Sequence, residues 1–387
     1  MEGRSGLWLI GGRGSVATTA ICGLAALRAD LTPATGSVTE RLDLDPAMFP
    51  SWSELVVGGH DIARTPLRKR AEELAAAGVL PARLPAAVTD ELEAADREIR
   101  PGYDAVDGPA RQLDAIEGLA RDIAEFRRTH DLGRVVVVNV SSTEPPVRPL
   151  PEHADLAALD RALASPGRDV LPSSALAAYA AFLADCPYVD FTPSPGLRIP
   201  AVVELAHRRN LSYAGSDGKT GETLLRSALA PMFVARGLHV RSWAGTNLLG
   251  GGDGANLAQE GRAAGKLASK SRGLEALLGG KADAPLHIDY VPDLGERKVA
   301  WDHISFEGFL GARMSLQLTW QGHDSALAAP LVLDLARLVA GAHAAGESGP
   351  LGALAFFFKD PVGSDEHRLA QQERDLVAWV RRIAVSR

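Results

Sequence analysis

Lys266 and Lys270 close the stretch of this chain that is densest in polar groups, and they sit four residues apart. The stretch opens with Gly215-Ser216-Asp217-Gly218-Lys219-Thr220-Gly221. It continues through Asn247-Leu248-Leu249-Gly250-Gly251-Gly252-Asp253-Gly254-Ala255-Asn256-Leu257. Glycine-rich turns present Asp, Asn and Lys between segments that read as ordinary apolar core. If residues 266–270 are helical, the two ammonium groups leave one face, one turn apart. Like charges at that spacing destabilise an isolated helix by roughly 0.2–0.5 kcal/mol. An anion between them reverses the sign, and a phosphorylated sugar, or an enolate forming on one, meets that requirement. Spacing alone also fits two solvated lysines on an exposed face.

The elements that must position this stretch begin at the N-terminus. Leu7-Trp8-Leu9-Ile10 reads as a strand, Gly11-Gly12-Arg13-Gly14-Ser15 as a turn, and Val16 to Leu27 as a helix. Strand, glycine turn and helix in that order open a dinucleotide-binding unit. Its glycines let the backbone approach a pyrophosphate, and the helix N-terminus offers N–H groups and a positive dipole end. The spacing is G-x-x-G-S rather than G-x-G-x-x-G, so a tight turn that binds nothing stays open. A ribose-binding acid is expected about 20 residues beyond the glycines. Glu40 comes later than that, after a strand-like Gly36 to Thr39, with Asp43 and Asp45 nearby, and an acid on a surface loop reads equally well.

Val56 to Ile62 forms a second strand, and helices are expected over 66–78, 84–97 and 110–130. Arg134 to Val140 is a continuous β-branched run, as in a strand buried on both faces of a parallel sheet. It ends in Ser141-Ser142-Thr143-Glu144-Pro145-Pro146, a polar turn at a strand's C-terminal end, where open α/β sheets bind ligands. Helices over 151–165, 173–185 and 199–209 alternate with strands over 188–191 and 212–214, the last delivering Gly215. That alternation predicts an α/β fold with a parallel sheet. After a helix to Arg236 and a strand over 238–243, the texture changes. Strands over 287–291, 301–309 and 313–320 follow one another without long helices, as in an antiparallel sheet. This is a second, smaller domain whose sheet could pack on another subunit. Helices over 325–344 and 366–383 end the chain, separated by Phe356-Phe357-Phe358-Lys359-Asp360-Pro361.

With 387 residues, 46% hydrophobic and 23% charged, the chain has the composition of a soluble globular protein of one large or two ordinary domains. Its net charge of -7 argues against general nucleic-acid binding. Cys22 and Cys186 form no metal spacing or disulfide framework, and a reducing cytoplasm is the simplest setting. No apolar run reaches membrane-spanning length without a charge. Met1 to Arg13 reads as the first strand, not as a signal peptide. No His/Cys/Asp cluster fixes a metal site, so no metal ligands are assigned.

Together these segments resemble the myo-inositol-phosphate synthase family, in family order and over nearly the whole chain. Gly11-x-x-Gly14-Ser15 looks like its NAD loop, and Gly58-Gly59-His60-Asp61-Ile62 like its G-G-W-D-I element. Residues 215–221 resemble G-D-D-x-K-[ST]-G, and Asn247 to Leu257 resemble N-H-L-G-N-N-D-G-x-N-L. Lys266-x-x-x-Lys270-Ser271 matches its lysine pair. Gly295-Glu296-Arg297-Lys298 is similar to G-D-S-K, and His323 to Pro330 to E-D-S-L-L-A-[AT]-P. Lys359 stands where the family has its last active-site lysine.

The resemblance implies a Rossmann-like NAD-binding domain over 1–222 and 324–387, with an inserted α+β catalytic and tetramerisation domain over 223–323. It implies oxidation of a hexose 6-phosphate by bound NAD, enolisation, intramolecular aldol closure and return of the hydride. Lys266, Lys270, Lys298, Lys359, Asp217 and Asp324 would be catalytic. Gly11, Gly12, Arg13, Gly14, Ser15, Val16, Asp61, Ser141, Ser142, Thr143, Asp217, Asn247 and Asp253 would hold NAD. Lys219, Thr220, Asn256 and Ser325 would hold the sugar phosphate. A cytoplasmic homotetramer is expected, with no nucleic-acid or membrane partner.

Departures from the family pattern bear on which sugar is used. Gly251-Gly252 replaces Asn-Asn, Ser216 replaces the first acid of G-D-D, and Glu296-Arg297 replaces Asp-Ser. Glucose 6-phosphate to 1L-myo-inositol 1-phosphate is the leading expectation. Closure of fructose 6-phosphate to a five-membered cyclitol phosphate, for carbocyclic nucleosides, is the alternative. An NAD dehydrogenase with net turnover and a non-catalytic NAD- or sugar-phosphate-binding regulator are the other two.

Overall fold

Val135, Val136, Val137 and Val138 leave almost no surface exposed, and the architecture explains why. The computed structural model describes residues 3–42, 48–104, 111–257 and 273–385. Among these lie eleven strands: β1 (Arg4–Ile10), β2 (Leu55–Asp61), β3 (Ile99–Pro101), β4 (Leu132–Asn139), β5 (Tyr188–Asp190), β6 (Ser212–Gly215), β7 (His239–Leu249), β8 (Leu286–Tyr290), β9 (Lys298–Glu307), β10 (Arg313–Gly322) and β11 (Gly349–Pro350). Seven form a parallel sheet in the order β11-β6-β5-β4-β1-β2-β3. Leu7, Leu9, Val136 and Val138 face one core, shared with helices Ser15–Arg28 and Asp324–Ala344. Trp8, Val135 and Val137 face the other, under helices Gln112–Thr129 and Ser173–Leu183. Each fully buried aliphatic side chain contributes about 1.5–3 kcal/mol, so a strand covered on both faces reads as an unbroken apolar run.

Strand order reverses between β1 and β4, and there the C-terminal ends stand level. Ile10 pairs with Asn139 on one side and with His60 on the other. A crevice opens beyond such a point, because the following segments leave in opposite directions.

The other four strands form a sheet in the order β10-β9-β7-β8. β9 runs antiparallel to β10 and β7, but β8 pairs parallel with β7. The expected antiparallel sheet is therefore mixed. One face packs Trp243, Val240 and Ile304 against Phe233 and Ala230 of helix Gly221–Ala235.

Helix Asp324–Ala344 is long and apolar enough to cross a membrane by length and composition, yet it is mostly buried inside the protein. Its two central charges are internal and paired. Asp334 accepts from Val38 N (2.6 Å) and Ser37 Oγ (2.7 Å). Arg337 donates to Pro50 O (2.9 Å) and Glu40 Oε1 (2.6 Å). This explains a departure from the sequence expectation. Gly36 to Thr39 is not a strand but leads into the short helix Val38–Arg41, whose first N–H groups are taken by Asp334. Glu40 is held by Arg337 and does not line the crevice beyond β1 and β4.

Other boundaries shift for local reasons. The helix expected over 84–97 breaks at Val88, where φ is -122°. The segment 151–165 becomes a 3-10 turn and helix Leu156–Leu163, restarted by Asp155 accepting from Ala158 N at 2.7 Å. The strand expected to end at Trp243 runs on to Leu249, which takes Asn247 into the second sheet.

Candidate active site

The crevice holds a cavity of about 670 Å³, lined by the ends of both sheets. At its first-sheet end the chain turns sharply after β1. Gly11 N and Gly12 N both donate to His60 O, at 2.9 and 3.2 Å, and Gly14 N donates to Gly11 O at 3.1 Å. Gly11 has φ +85°, and a Cβ there would stand 2.7 Å from Ser141 Cα. Only glycine fits a left-handed turn this close to a neighbouring backbone. The turn ends at Ser15, the first residue of helix Ser15–Arg28, which aims its N–H groups at the cavity. Gly11, Arg13, Gly14, Ser15 and Val16 line the cavity, whereas Gly12 lies behind the turn against Ile99.

Asp61 ends β2 and also lines the cavity. Its Oδ2 accepts from Arg13 N (2.6 Å) and its Oδ1 from Ala63 N (2.7 Å). An acid at the end of the second strand is where a dinucleotide fold holds a ribose. The long segment between the first helix and β2 carries it well past the usual spacing. Beside it, Trp8 Nε1 donates to His60 Nδ1 (3.0 Å), which places the ring proton on Nε2, facing Asp122 Oδ2 at 3.1 Å. Burial lowers the His60 pKa, so this histidine is a neutral structural link.

Ser141, Ser142 and Thr143 line the opposite wall. Ser141 Oγ donates to Asn139 Oδ1 (2.7 Å), and Asn139 Nδ2 donates to Asp190 Oδ1 (3.1 Å). Burial pushes the Asp190 carboxyl up to about 7, against the lowering effect of its hydrogen bonds from Thr192 and Asn139.

Two lysine–carboxylate pairs face the middle of the cavity. Lys359 Nζ donates to Asp217 Oδ1 at 2.7 Å, and Lys298 Nζ to Asp324 Oδ2 at 2.9 Å. Each residue has a local reason for its place. Lys359 follows the buried Phe357 and Phe358, and its N–H donates to Asp217 O (2.7 Å). Asp217 has φ +63°, a conformation Asp tolerates better than most residues. Gly218 has no room for more than hydrogen, since a Cβ would stand 2.1 Å from the Phe191 ring. Lys298 begins β9, and Asp324 begins the long helix, where a negative charge is favoured by the helix dipole. Asp217 Oδ2 is buried and has no hydrogen-bond partner among the described residues. An unpartnered buried carboxylate oxygen is costly unless a donor reaches it, which makes it a seat for a hydroxyl.

Not every expected residue joins this group. Thr220 and Ser325 line the cavity, but Lys219 does not. Lys219 Nζ turns away and donates to Gln372 Oε1 of the terminal helix Leu369–Val385. Burial pulls its pKa down to about 7, although the charge of Glu366 works the other way. Asn247 is likewise buried behind the cavity, where Nδ2 donates to Glu222 Oε2 (2.7 Å). It belongs to a network in which Arg226 pairs with Glu222 and with Asp302 (3.1 Å), and Trp243 Nε1 donates to Asp302 (2.8 Å). Burial and the charge of Glu222 push Asp302 up to about 6, against Arg226. Asp253 and Asn256 lie on helix Gly252–Leu257, and their side chains lie outside what the structure describes. Lys266 and Lys270 lie outside the described residues.

Two further lining residues were not singled out by sequence, although Glu144 belongs to the polar turn after β4. Glu144 accepts from Ser174 N at the start of helix Ser173–Leu183, with both oxygens at 3.2 Å. Arg70, on helix Leu67–Ala76, reads in sequence as part of a solvated face but reaches the cavity. Among the described residues, no three His, Cys, Asp or Glu side chains gather to hold a metal ion.

A reversed parallel sheet, a glycine turn at its switch point, an acid ending β2 and paired lysines between two sheets define a dinucleotide-binding enzyme fold built around anions. A family model described as myo-inositol-1-phosphate synthase matches residues 5–381, and the chain belongs to that NAD-binding family. It is 33% identical to inositol-3-phosphate synthase 1 of Bacteroides thetaiotaomicron over 414 aligned positions, covering 98% of this chain and 94% of that protein. It is 32% identical to the mouse inositol-3-phosphate synthase 1 over a shorter stretch, 59% of this chain and 42% of that protein. The crystal structure of the Caenorhabditis elegans inositol-3-phosphate synthase has a TM-score of 0.86 at 23% identity, covering 98% of this chain and 86% of that one, which shows the shared fold.

Proposed function

We propose that the protein is an NAD-dependent, redox-neutral cyclase that converts glucose 6-phosphate to a myo-inositol phosphate. The observation that carries the proposal is the facing of two lysine–carboxylate pairs, Lys359–Asp217 and Lys298–Asp324, across one cavity at the dinucleotide switch point. The glycine turn fits the cofactor, because Gly11 leaves only a backbone where a side chain would collide. When bound, NAD would supply a hydride acceptor and, once reduced, a hydride donor, with no net consumption. The residues of the chain do the remainder. Lys359 would relay the hydroxyl proton that leaves as the hydride does, taking it up as one of its own ammonium protons passes to the Asp217 carboxylate. Asp217 Oδ2 receives a substrate hydroxyl. Lys298, held by Asp324, sits where an enolate or aldehyde oxygen gathers charge during the aldol step. An ammonium fixed in place stabilises such charge without reorganising. Lys266 is proposed to act with Lys359, and Lys270 with Lys298. Thr220 and Ser325 supply hydroxyls for the sugar phosphate.

The segment 223–323 is proposed as the catalytic and oligomerisation insertion in a domain made of 1–222 and 324–387. Four copies would assemble through the open face of the second sheet, where Trp301 is 41% exposed; light scattering should give the mass of four chains. Cys22 and Cys186 are buried free thiols, each pushed up to about 12 by burial, which fits a reducing cytoplasm.

Incubation with glucose 6-phosphate and catalytic NAD, followed by phosphorus and carbon NMR, tests the reading. A six-membered inositol phosphate with no accumulating NADH is the expected outcome. Steady accumulation of NADH would make it a dehydrogenase. A five-membered product from fructose 6-phosphate, with none from glucose 6-phosphate, would replace the proposed substrate.

A further inference from the structure

We propose that Arg70 holds the NAD pyrophosphate, positioned for that task by Glu296. The inference rests on the NAD reading of the site. Arg70 reaches from helix Leu67–Ala76 to the first residue of helix Ser15–Arg28, and its Nη2 donates to Ser15 Oγ at 2.7 Å. The same Nη2 meets Glu296 Oε1 at 2.9 Å, and Glu296 Oε2 accepts from Ser15 Oγ at 3.2 Å. The guanidinium therefore stands over the glycine turn, at the place where a dinucleotide fold brings its phosphates. Nη1 is spent on Glu73, a partly exposed partner that water screens. A guanidinium carries five donors in a planar fork, and phosphate oxygens match that fork. Arg13, although closer in sequence, already has its Nε on Asp96 at 3.0 Å.

Two departures from the family pattern become one rearrangement here. A Cβ on Gly251 would stand 3.3 Å from Glu296 Oε2, and one on Gly250 would stand 2.5 Å from Gly295 O. Gly250, which the family pattern shares, and Gly251, which replaces the first Asn of that pattern, let the 295–297 loop come in close. A glutamate, one methylene longer than aspartate, then spans the gap to Arg70. Because the same loop delivers Lys298 to the cavity, the clasp ties the cofactor turn to a lysine of the second sheet.

The test is a titration of NAD into the full-length wild type, R70A, R70K and E296Q at low and moderate salt. R70A should raise the Kd for NAD by about ten-fold or more and flatten its salt dependence. R70K, which keeps the charge but loses the fork, should fall between. E296Q loses the charge that fixes Arg70 over the turn and should raise the Kd by a few-fold, less than R70A does, whereas an unchanged Kd would remove Glu296 from the positioning role. The KM for glucose 6-phosphate at saturating NAD should stay within about two-fold in R70K. NAD binding needs no turnover, so the result stands whether or not the protein proves to be a cyclase. A Kd within two-fold of wild type in both Arg70 variants would overturn the proposal. So would a raised sugar KM with unchanged NAD affinity, which would move Arg70 to the substrate phosphate.

Discussion

Lys359 and Asp217 are nearly sealed from water, with side chains 9% and 5% exposed, while Asp324, the partner of Lys298, is 35% exposed. The two pairs should therefore respond differently to mutation. Removing one member of a buried pair leaves the other charged and uncompensated, at a cost of about 3–5 kcal/mol. K359M should destabilise the protein by about that amount and lower kcat by roughly 10²-fold or more, as expected for loss of a proton-transfer group. The double variant K359M/D217N removes both charges. It should recover most of the lost stability and none of the activity, which denaturant melts and steady-state assays together would show. Recovery of activity with stability would mean that the pair is only structural. K298M should leave stability closer to wild type, because Asp324 remains partly hydrated.

The loop after β6 carries the site on contacts that leave it no slack. Gly218 N donates to Phe191 O (2.9 Å), Asp217 N to Thr192 O (3.0 Å) and Lys219 N to Phe357 O (2.8 Å). G218A should push the loop off the Phe191 ring, destabilising the protein by about 1–3 kcal/mol and lowering kcat by displacing Asp217. Unchanged kcat with an unchanged melt would show that the loop can move aside. Such elements were partly legible in the sequence. The alternation of β-branched runs with amphipathic helices marked β1, β2, β4, β5 and β6, because a strand buried on both faces tolerates little else. β3 and β11 left no such mark, since each is a short edge strand that contains a proline, Pro101 or Pro350, and no apolar run. Motif order located Lys298, Lys359, Asp217 and Asp324. A motif fixes neighbours along the chain but not the direction of a side chain, and so Lys219 and Asn247 turned out to point into the interior. Spacing pointed to Glu40, which lies away from the cavity, whereas the motif resemblance named Asp61, which ends β2 and lines it. Arg70 was invisible, because an arginine on an amphipathic helix looks the same whether it meets water or a cofactor.

The last helix returns to the first sheet, where Leu376, Val380 and Ile383 join its core, and a polar contact ties it to the site loop. Lys219, two residues from the Asp217 site, donates to Gln372 of that helix, and Gln372 Nε2 donates to Glu366 O at 2.5 Å. The stability of the whole molecule should carry the signature of this lysine. Its pKa is about 7 in the fold against the ordinary 10.5, so the charged form is the one burial disfavours. Between those values the unfolded chain binds a proton that the folded chain does not, and stability rises with pH across the window. Below about 7 both states are protonated and the contribution is flat at its least favourable. His367 does not blur the window, because burial and the charge of Lys219 lower its pKa below the ordinary 6.5. K219M removes the titration. Urea melts at pH 7, 8 and 9 should show the wild type gaining stability relative to K219M at each step, with the gain largest between the ends of the series. Parallel curves would mean that Lys219 keeps its proton in the fold, held there by Glu366. The tie between the site loop and the C-terminal helix would then be a charged ammonium on the Gln372 amide oxygen, present at every pH at which the enzyme works.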